Sequence, residues 1–326
     1  MLFIAANINP AMNRRNFLTT TTMAALAAAP LSRLFTKSYR PLADPKLTML
    51  RGNVGYYTNR GGTIGVYLPG GMPEGGAIVD TQFPKAAESL LGTLREKGEL
   101  TKLGVLANTH HHGDHTAGNT VFAGLAATHV SHQRAKQNLI DNLAKKGEEG
   151  SVPLPSTTFQ GSWSTNLPDG KESISLNYFG KAHTGGDAVV HFENANVAHL
   201  GDLLFNRRFP YIDHGSGGDI LNWPEVLKDI RRAYDKDTLY IFGHAADGYP
   251  VVGTSADIKA FELYLKSLRK YVKKELKRGT SLEDLKKKTI TIPGAPEWNF
   301  GERLRDVNLE AAWEKLGGKK KAAGPN

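Results

Sequence analysis

The stretch VLANTHHHGDHTAGN, residues 105–119, carries most of the chain's information about its fold and its chemistry. Four histidines and an aspartate fall between His110 and His115, although the 326 residues contain only 11 histidines. The apolar run LGVLAN (103–108) before them is typical of a buried strand, so the polar cluster begins where that strand ends. Loops at such positions commonly carry binding and catalytic side chains.

The spacing within this cluster predicts which side chains can share a metal ion. In extended backbone, alternate side chains point to the same side, so His110 and His112 can share one ion while His111 points away. Asp114 and His115 follow Gly113, where a turn can direct them toward a second centre. Shifting the register by one would require a ligand from glycine, which has no side chain. The spacing therefore predicts the donor pattern His-x-His-x-Asp-His over 110–115.

Three residues far along the chain are candidates to complete the site. His183 lies in GKAHTGGD, Asp202 in AHLGDLLF and His244 in IFGHAADG. Each follows an extended or glycine-flanked stretch, where the backbone can approach a metal site closely. A metal site needs several converging ligands, and histidine is the most common of them.

Hydrophobic periodicity and turn signals predict alternating strands and helices. Extended segments are expected at 47–58, 63–68, 77–80, 103–108, 173–179, 188–200 and 238–244. Helices are expected at 84–98, 116–126, 131–145, 223–234 and 256–278, and the capping-box sequence SLED (281–284) predicts a further short helix. This alternation indicates an α/β layered domain.

Charge and cysteine content exclude several kinds of site. The formal net charge is +9, and much of the excess lies in the lysine-rich stretches 266–288 and 319–321. No aromatic stacking motif accompanies them, so we interpret them as solvated helix faces and a tail, and we expect no nucleic-acid partner. The absence of cysteine excludes disulfides, thiolate ligands and a cysteine nucleophile.

The N-terminal sequence MNRRNFLTTTTMAALAAAPL (12–31) resembles a twin-arginine export signal. Its apolar run is shorter than the roughly 20 residues that span a bilayer, so no stable membrane insertion is expected. The sequence thus predicts a signal segment at 1–30, a linker at 31–44 and a single domain at 45–326. Export to the periplasm by the twin-arginine machinery follows as an expectation.

Taken together, the motifs between about 45 and 290 resemble the metallo-β-lactamase-fold hydrolase superfamily. The strand-end residue Asp80, the cluster at 110–115 and the three distant residues occur in the order typical of that superfamily. The resemblance implies an αββα sandwich, here with extra C-terminal helices. It also implies that His110, His112 and His183 bind one metal, that Asp114, His115 and His244 bind a second, and that Asp202 bridges them. Asp80 and Thr109 are expected to support the ligating histidines.

Such a site predicts a dinuclear hydrolase. Two ions about 3.5–4 Å apart can share a bridging hydroxide at neutral pH while polarising the substrate. Asp114 can hydrogen-bond this nucleophile as well as bind metal, which makes it the candidate catalytic residue. Nitrogen and oxygen ligands suit two zinc ions best, with iron or manganese as alternatives. We therefore expect an exported zinc hydrolase of an ester-like bond.

The small-molecule substrate is left open between thioester, lactone, ester and amide. A β-lactam hydrolase and a non-catalytic metal-binding accessory protein of a periplasmic system are the alternatives. Asp202 argues against a dedicated β-lactamase, since β-lactamases of this superfamily usually lack a bridging aspartate, and Asp187 departs from the histidine typical of glyoxalase II enzymes. Arg207, Arg208 and Tyr211 are candidate substrate contacts. The neighbouring Asp213 and His214 fit either an acid–base pair or a solvated turn.

Overall fold

The computed structural model describes residues 45–59 and 61–318. The predicted signal segment (1–30), the linker (31–44) and the basic tail (319–321) lie outside the described residues. The domain limits drawn from the sequence therefore stay a prediction.

Two sheets contain most of the strands. The first sheet has the order β1-β2-β3-β4-β5-β6-β7, antiparallel from β1 to β4 and parallel from β4 to β7. Its strands are β1 Lys46–Arg51, β2 Val54–Thr58, β3 Ile64–Tyr67, β4 Glu74–Val79, β5 Lys102–Asn108, β6 Ala126–His132 and β7 Thr157–Phe159.

The second sheet has the order β15-β13-β11-β10-β9-β8, and a separate two-stranded sheet pairs β12 with β14. Their bounds are β8 Ser162–Asn166, β9 Ser173–Tyr178, β10 Ala188–Phe192, β11 Val197–His199, β12 Phe205–Asn206, β13 Leu239–Ile241, β14 His244–Ala245 and β15 Val252–Gly253.

The helices cover the outer faces or form short turns near the strand ends. They are α1 Pro84–Glu96, α2 Gly113–Thr116, α3 Asn119–Phe122, α4 Gln133–Lys146, α5 Trp223–Ala233, α6 Ser255–Lys277, α7 Leu282–Lys288 and α8 Glu302–Lys315. Single 3₁₀ turns span Ala123–Leu125 and Gly201–Leu203. Among the described residues, none of these helices combines the length and apolarity that crossing a bilayer requires.

Three buried apolar clusters define the layers. Val79 and Val105 of the first sheet meet Val190 of the second in the cluster between the two sheets. A second cluster packs α1 against the outer face of the first sheet, and a third packs α5 to α8 against the second sheet. This arrangement confirms the αββα sandwich and its extra C-terminal helices. The two sheets stack because each buries an apolar face against the other.

Several predicted elements differ from the structure at turns. The extended segment 47–58 is split by Gly52 and Asn53, whose φ angles of 56° and 65° reverse the chain between β1 and β2. The segment 188–200 is two strands, with Asn196 (φ 51°) in the turn between them. Asn and Gly adopt this left-handed region most readily, so local turn chemistry overrode the apolar pattern.

The predicted helices at 116–126 and 131–145 are wrong at their junction. The segment Ala126–His132 is a strand that pairs in parallel with β5, and the following helix begins only at Gln133. Pairing between distant segments decides such a short stretch, and a local pattern contains no information about it. The strands β7, β8, β12 and β15 and the helix α8 were not predicted.

Candidate metal centre

The seven predicted donor residues lie near the ends of strands. His110 follows β5, Asp202 lies in the 3₁₀ turn after β11, and His244 opens β14. His183 lies in the loop between β9 and β10, and Asp114 and His115 lie in the single-turn helix α2. The structure brings all seven side chains together in two groups of possible ligand atoms.

The first group consists of His110, His112, His183 and Asp202. The Nδ1 atom of His112 lies 3.0 Å from Nε2 of His110 and 3.0 Å from Nε2 of His183. Asp202 Oδ2 lies 3.5 Å from His183 Nε2 and 3.9 Å from His110 Nε2. A tetrahedral zinc ion with bonds of about 2.0–2.1 Å places its ligand atoms about 3.3–3.4 Å apart. The four atoms are therefore spaced suitably for one such ion.

The second group consists of Asp114, His115 and His244, and it faces the other oxygen of Asp202. Asp114 Oδ2 lies 3.2 Å from His244 Nε2 and 3.9 Å from His115 Nε2. Asp202 Oδ1 lies 3.1 Å from His115 Nε2 and 3.3 Å from His244 Nε2. The two oxygens of one carboxylate therefore face two separate donor groups, as a bridging ligand would.

Buried atoms without an aligned hydrogen bond and closely approaching glycines indicate that these residues fit metal ions. Within the described part of the chain, His115 Nε2 and Asp202 Oδ1 are buried and lie 3.1 Å apart, but they are not aligned for a hydrogen bond. A Cβ on Gly62 would lie 2.3 Å from the His115 ring, and one on Gly243 would lie 2.0 Å from Asp202 Oδ1. Buried polar atoms almost always have partners. Ligand atoms for a cation, held by backbone that only glycine permits, account for both observations.

Hydrogen bonds on the far sides of the rings turn two of the first-group histidines toward the centre. The Nδ1–H of His110 donates to Thr109 Oγ1 (3.0 Å), because that hydroxyl itself donates to Asp80. The Nδ1–H of His183 donates to the carbonyl of Tyr211 (2.8 Å). In both rings the Nε2 lone pair is left free to bind a cation.

Asp80 hydrogen-bonds residues next to or within both donor groups. Its carboxylate accepts hydrogen bonds from the backbone N–H of Thr109 (2.8 Å), from Thr109 Oγ1 (2.7 Å) and from His115 Nδ1 (2.7 Å). Its backbone adopts φ 60°, a conformation that is costly for a residue other than glycine. Asp80 and Thr109 thus link His110 of the first group to His115 of the second through hydrogen bonds.

Asp213 is the supporting residue whose contact the sequence did not specify. Its Oδ2 accepts a hydrogen bond of 2.9 Å from His112 Nε2, which leaves Nδ1 of that ring as the donor atom. Its Oδ1 accepts from the backbone N–H of Ser216 (3.0 Å), so the carboxylate is fixed from both sides. The sequence left Asp213 and His214 open between an acid–base pair and a solvated turn. Asp213 does begin a turn over residues 214–217, but its carboxylate is largely buried against His112 and Ser216. Only tertiary folding places it beside His112, 101 positions earlier in the chain.

Electrostatics leave the first group in the protonation states that metal binding requires. Burial lowers the pKa of His110 well below its usual value and lowers the pKa of His183 to about 3. Burial alone would raise the pKa of Asp202, but His244 and His115 lower it well below the usual range. Neutral imidazoles and an ionised carboxylate are the forms that bind metals.

The side chains of the second group form a network of ion pairs with Asp202. Burial would lower the pKa of His244, but Asp202 and Asp114 raise it to about 9. The pKa of His115 also lies well above its usual value, since Asp202 and Asp80 outweigh the effect of burial. The buried carboxylates therefore need compensating positive charge, which either protons or a divalent cation can supply.

The predicted substrate contacts occupy different surroundings. Tyr211 is 43% exposed, and its ring centroid lies 5.5 Å from that of His112. The guanidinium of Arg207 lies 4.6 Å from the ring centroid of Trp298, and that of Arg208 lies 5.4 Å from that of Phe300. Both arginines therefore contact the C-terminal segment.

His111, which the spacing separates from the other histidines, lies in neither of the two donor groups. Its ring is buried, and Nε2 lies 3.5 Å from Asp213 Oδ2. The His111 ring packs beside that of His112, with centroids 4.5 Å apart. His111 does form a third, smaller group with His112 and Asp213. However, the Nδ1 lone pair of His112 faces the first group, and its Nε2–H already donates to Asp213.

The sequence profile of the metallo-beta-lactamase superfamily matches residues 70–245, more than half of the chain. This chain belongs to the metallo-beta-lactamase superfamily. Its members are metal-dependent hydrolases, so the family accounts for the converging histidines and aspartates.

Two relatives are named for different activities. The metallo-beta-lactamase IND-1 of Chryseobacterium indologenes is 25% identical over 172 residues, 52% of this chain and 67% of that protein. A hydroxyacylglutathione hydrolase of Maricaulis maris (strain MCS10) is 29% identical over 98 residues, 30% of this chain and 32% of that protein.

Solved structures show the same fold. The sec-alkylsulfatase Pisa1 from Pseudomonas sp. superposes with a TM-score of 0.67 at 11% identity, covering 86% of this chain and 51% of that one. The metallo-beta-lactamase DIM-1 superposes with a TM-score of 0.52 at 19% identity, covering 69% of this chain and 99% of that one. The chain thus spans about half the length of the alkylsulfatase. At these identities the likeness concerns the fold alone.

Proposed function

We propose that this chain is a dinuclear zinc hydrolase of an ester-like bond. The observation that carries the proposal is the Asp202 carboxylate, whose Oδ2 faces one donor group and whose Oδ1 faces the other. Three histidines in one group and an aspartate with two histidines in the other offer only nitrogen and oxygen atoms, a set that suits zinc, with iron or manganese as alternatives.

Bound divalent ions would supply a nucleophilic water of lowered pKa and would polarise the bond to be cleaved. His110, His112 and His183 would hold one ion, and Asp114, His115 and His244 the other. The Asp114 carboxylate is 27% exposed at its side chain, whereas that of Asp202 is 4% exposed. Asp114 is therefore the acidic group of the centre best placed to accept a proton from a reacting water. Tyr211, exposed beside His112, can donate to oxygen that gains negative charge during cleavage.

The relatives support two kinds of substrate. The match to a hydroxyacylglutathione hydrolase supports a thioester, within a proposed range that also includes lactones, esters and amides. The match to IND-1 supports β-lactam hydrolysis as the second candidate. The oxygen donor Asp202 in place of a thiolate favours the ester-like substrate.

Export is part of the proposal and rests on the sequence alone. Arg14 and Arg15 followed by an Ala-rich run support the twin-arginine route and a periplasmic location. Sequencing the N-terminus of the mature protein tests it, and retention of residues 1–20 in the exported protein would refute it.

Metal analysis combined with a substrate panel tests the catalytic proposal. We expect two ions per chain in zinc-loaded protein and hydrolysis of at least one thioester, lactone or ester. Asp202→Ala should lose at least one ion and nearly all activity, because it removes an atom from both groups. His191→Gln, on the β10 strand, is the control variant, and it should retain two ions and wild-type activity.

The outcomes separate the candidates. Less than about one ion per chain in carefully loaded protein would refute the dinuclear proposal. Cleavage of β-lactams without cleavage of thioesters, lactones or esters would favour the second candidate. Two bound ions without any hydrolysis across the panel would favour a metal-binding accessory protein.

A further inference from the structure

A C-terminal segment, Trp298–Asn308, holds the loop that supports two of the candidate ligands. It lies outside residues 70–245, the part of the chain that matches the family. We propose that Asn308 is a positioning residue for the metal centre, acting through the Pro210–Tyr211 backbone on His183. The inference rests on the proposed metal binding.

The backbone of residues 211–213 fixes His183 at two points. The His183 ring donates from Nδ1 to the carbonyl of Tyr211 (2.8 Å). The backbone N–H of Asp213 donates to the carbonyl of His183 (3.2 Å). The position of this backbone therefore sets where His183 Nε2 points.

Asn308 holds the adjacent peptide unit. Its amide Nδ2 donates to the carbonyl of Pro210 (2.6 Å) and to that of Leu304 (2.6 Å). Its Oδ1 accepts a hydrogen bond from the hydroxyl of Tyr264 (2.7 Å). Asn308 and Tyr264 are fully buried, so water cannot replace these bonds. The Pro210 carbonyl is thus tied to helix α8, one residue before the carbonyl that orients His183.

Two further bonds hold the same loop to the same segment. The backbone N–H of Phe209 donates to the carbonyl of Phe300 (3.1 Å), and the indole of Trp298 donates to the carbonyl of Phe205 (3.3 Å). The stacking of Arg207 on Trp298 belongs to this attachment. The loop is therefore held along its length, and Asn308 is the attachment nearest to His183.

Loss of the Asn308 donor leaves the Pro210 carbonyl buried and unpaired. That carbonyl regains a partner only if the loop shifts, and the Tyr211 carbonyl moves with it. Metal sites tolerate displacements of only about 0.2 Å, and changes to the groups that orient ligands typically cost about 10–100-fold in affinity.

The test compares two variants of the full chain that break different bonds of one amide. Asn308→Asp keeps the size and the acceptor for Tyr264, but its carboxylate cannot donate to Pro210. Tyr264→Phe breaks the other bond and leaves the donor to Pro210 intact. Zinc affinity is measured by chelator competition, and the visible spectrum of the cobalt-substituted protein reports ligand geometry. Unfolding midpoints of the metal-free proteins measure general stability.

We expect Asn308→Asp to bind one of the two ions at least about 10-fold more weakly, with an altered cobalt spectrum. Tyr264→Phe should keep the wild-type affinity and spectrum even where its unfolding midpoint falls. Asn308→Leu removes the donor without adding a buried charge, and it replaces Asn308→Asp in these measurements if the aspartate variant does not fold.

Wild-type affinity and spectrum in an Asn308 variant would overturn the inference. Equal weakening in the Asn308 and Tyr264 variants would overturn it too, since the effect would then follow stability. A wild-type protein that binds no metal would instead refute the proposed function. Two ions in the wild type with unaffected Asn308 variants would refute this inference alone.

Discussion

Replacing Gly243 by alanine should disable the centre by displacing Asp202. A Cβ at this position would lie 2.0 Å from Asp202 Oδ1 and 2.8 Å from the carbonyl carbon and oxygen of Gly201, whereas real Cβ contacts essentially never fall below 3.0 Å. The carboxylate must therefore move by at least about 1 Å, since close-packed interiors offer no spare room.

The backbone of Gly243 cannot move away instead. Its N–H donates to the carbonyl of Gly201 (2.8 Å), and its carbonyl accepts from the N–H (3.0 Å) and the hydroxyl (3.1 Å) of Thr63. These bonds tie the segment to both sheets. Apart from a shift of a few tenths of an ångström against the Gly201 backbone, the displacement consequently falls on the Asp202 side chain.

The size of the displacement sets the expected effect. It is several times the tolerance of about 0.2 Å in ligand position, so we expect the loss of at least one of two ions. A misplacement of about 1 Å can cost about 100-fold in rate, so kcat/KM on the best substrate of the panel should fall at least that far. Metal content after dialysis against a weak chelator and steady-state kinetics measure the two effects.

Gly92→Ala is the matched control. Gly92 lies within α1, and a Cβ there would meet nothing within 4 Å. This variant should keep both ions and gain about 0.5–1 kcal/mol of stability, as is usual for glycine to alanine in a helix. A Gly243→Ala protein with two ions and wild-type kcat/KM would show that Asp202 is not confined as described.

Three further predictions concern the surroundings of the ligands. Asp213→Ala should weaken binding of the first-group ion about 10–100-fold, because His112 loses the acceptor that fixes its ring, and chelator competition measures this. His111→Ala should keep two ions, whereas His112→Ala should lose at least one, as metal analysis of the purified proteins will show. Burial lowers the pKa of His129 to about 4, so His129 should contribute stability that is lost as the pH falls from about 6.5 to 4, on the order of 3 kcal/mol in the free energy of unfolding. His129→Gln should abolish this contribution, since glutamine can still donate to Asn108 but does not titrate.

Each of these predictions has an outcome that contradicts it. Unchanged zinc affinity in Asp213→Ala would mean that His112 is oriented by packing alone. Loss of an ion in His111→Ala would place that residue among the ligands. Parallel stability curves for the wild type and His129→Gln between pH 4 and 6.5 would show that His129 titrates alike in the folded and unfolded states.

The sequence determined the donor pattern because the relevant rules are local. Alternation in extended backbone separated His111 from His110 and His112, and Gly113 could not be a ligand in any register. Glycine-flanked strand ends marked His183, Asp202 and His244 as candidates. The order of these motifs also identified the superfamily, and with it the αββα sandwich.

Only the tertiary structure decided how the ligands are oriented. The contact of Asp213 with His112 and that of Asn308 with Pro210 join residues 101 and 98 positions apart, and no periodic pattern links them. The strand at Ala126–His132 was missed for the same reason, since its partner β5 is fixed by the sheet and not by its own residues.

The division has a physical basis. Ligand type and spacing are properties of neighbouring residues, and the sequence of this chain states them directly. The direction of each ring, the exclusion of water and the confinement of Asp202 by Gly243 arise from segments that meet only after both sheets have stacked. The sequence by itself therefore determined which atoms are candidates to bind metal, and the tertiary structure decided where those atoms point and what holds them there.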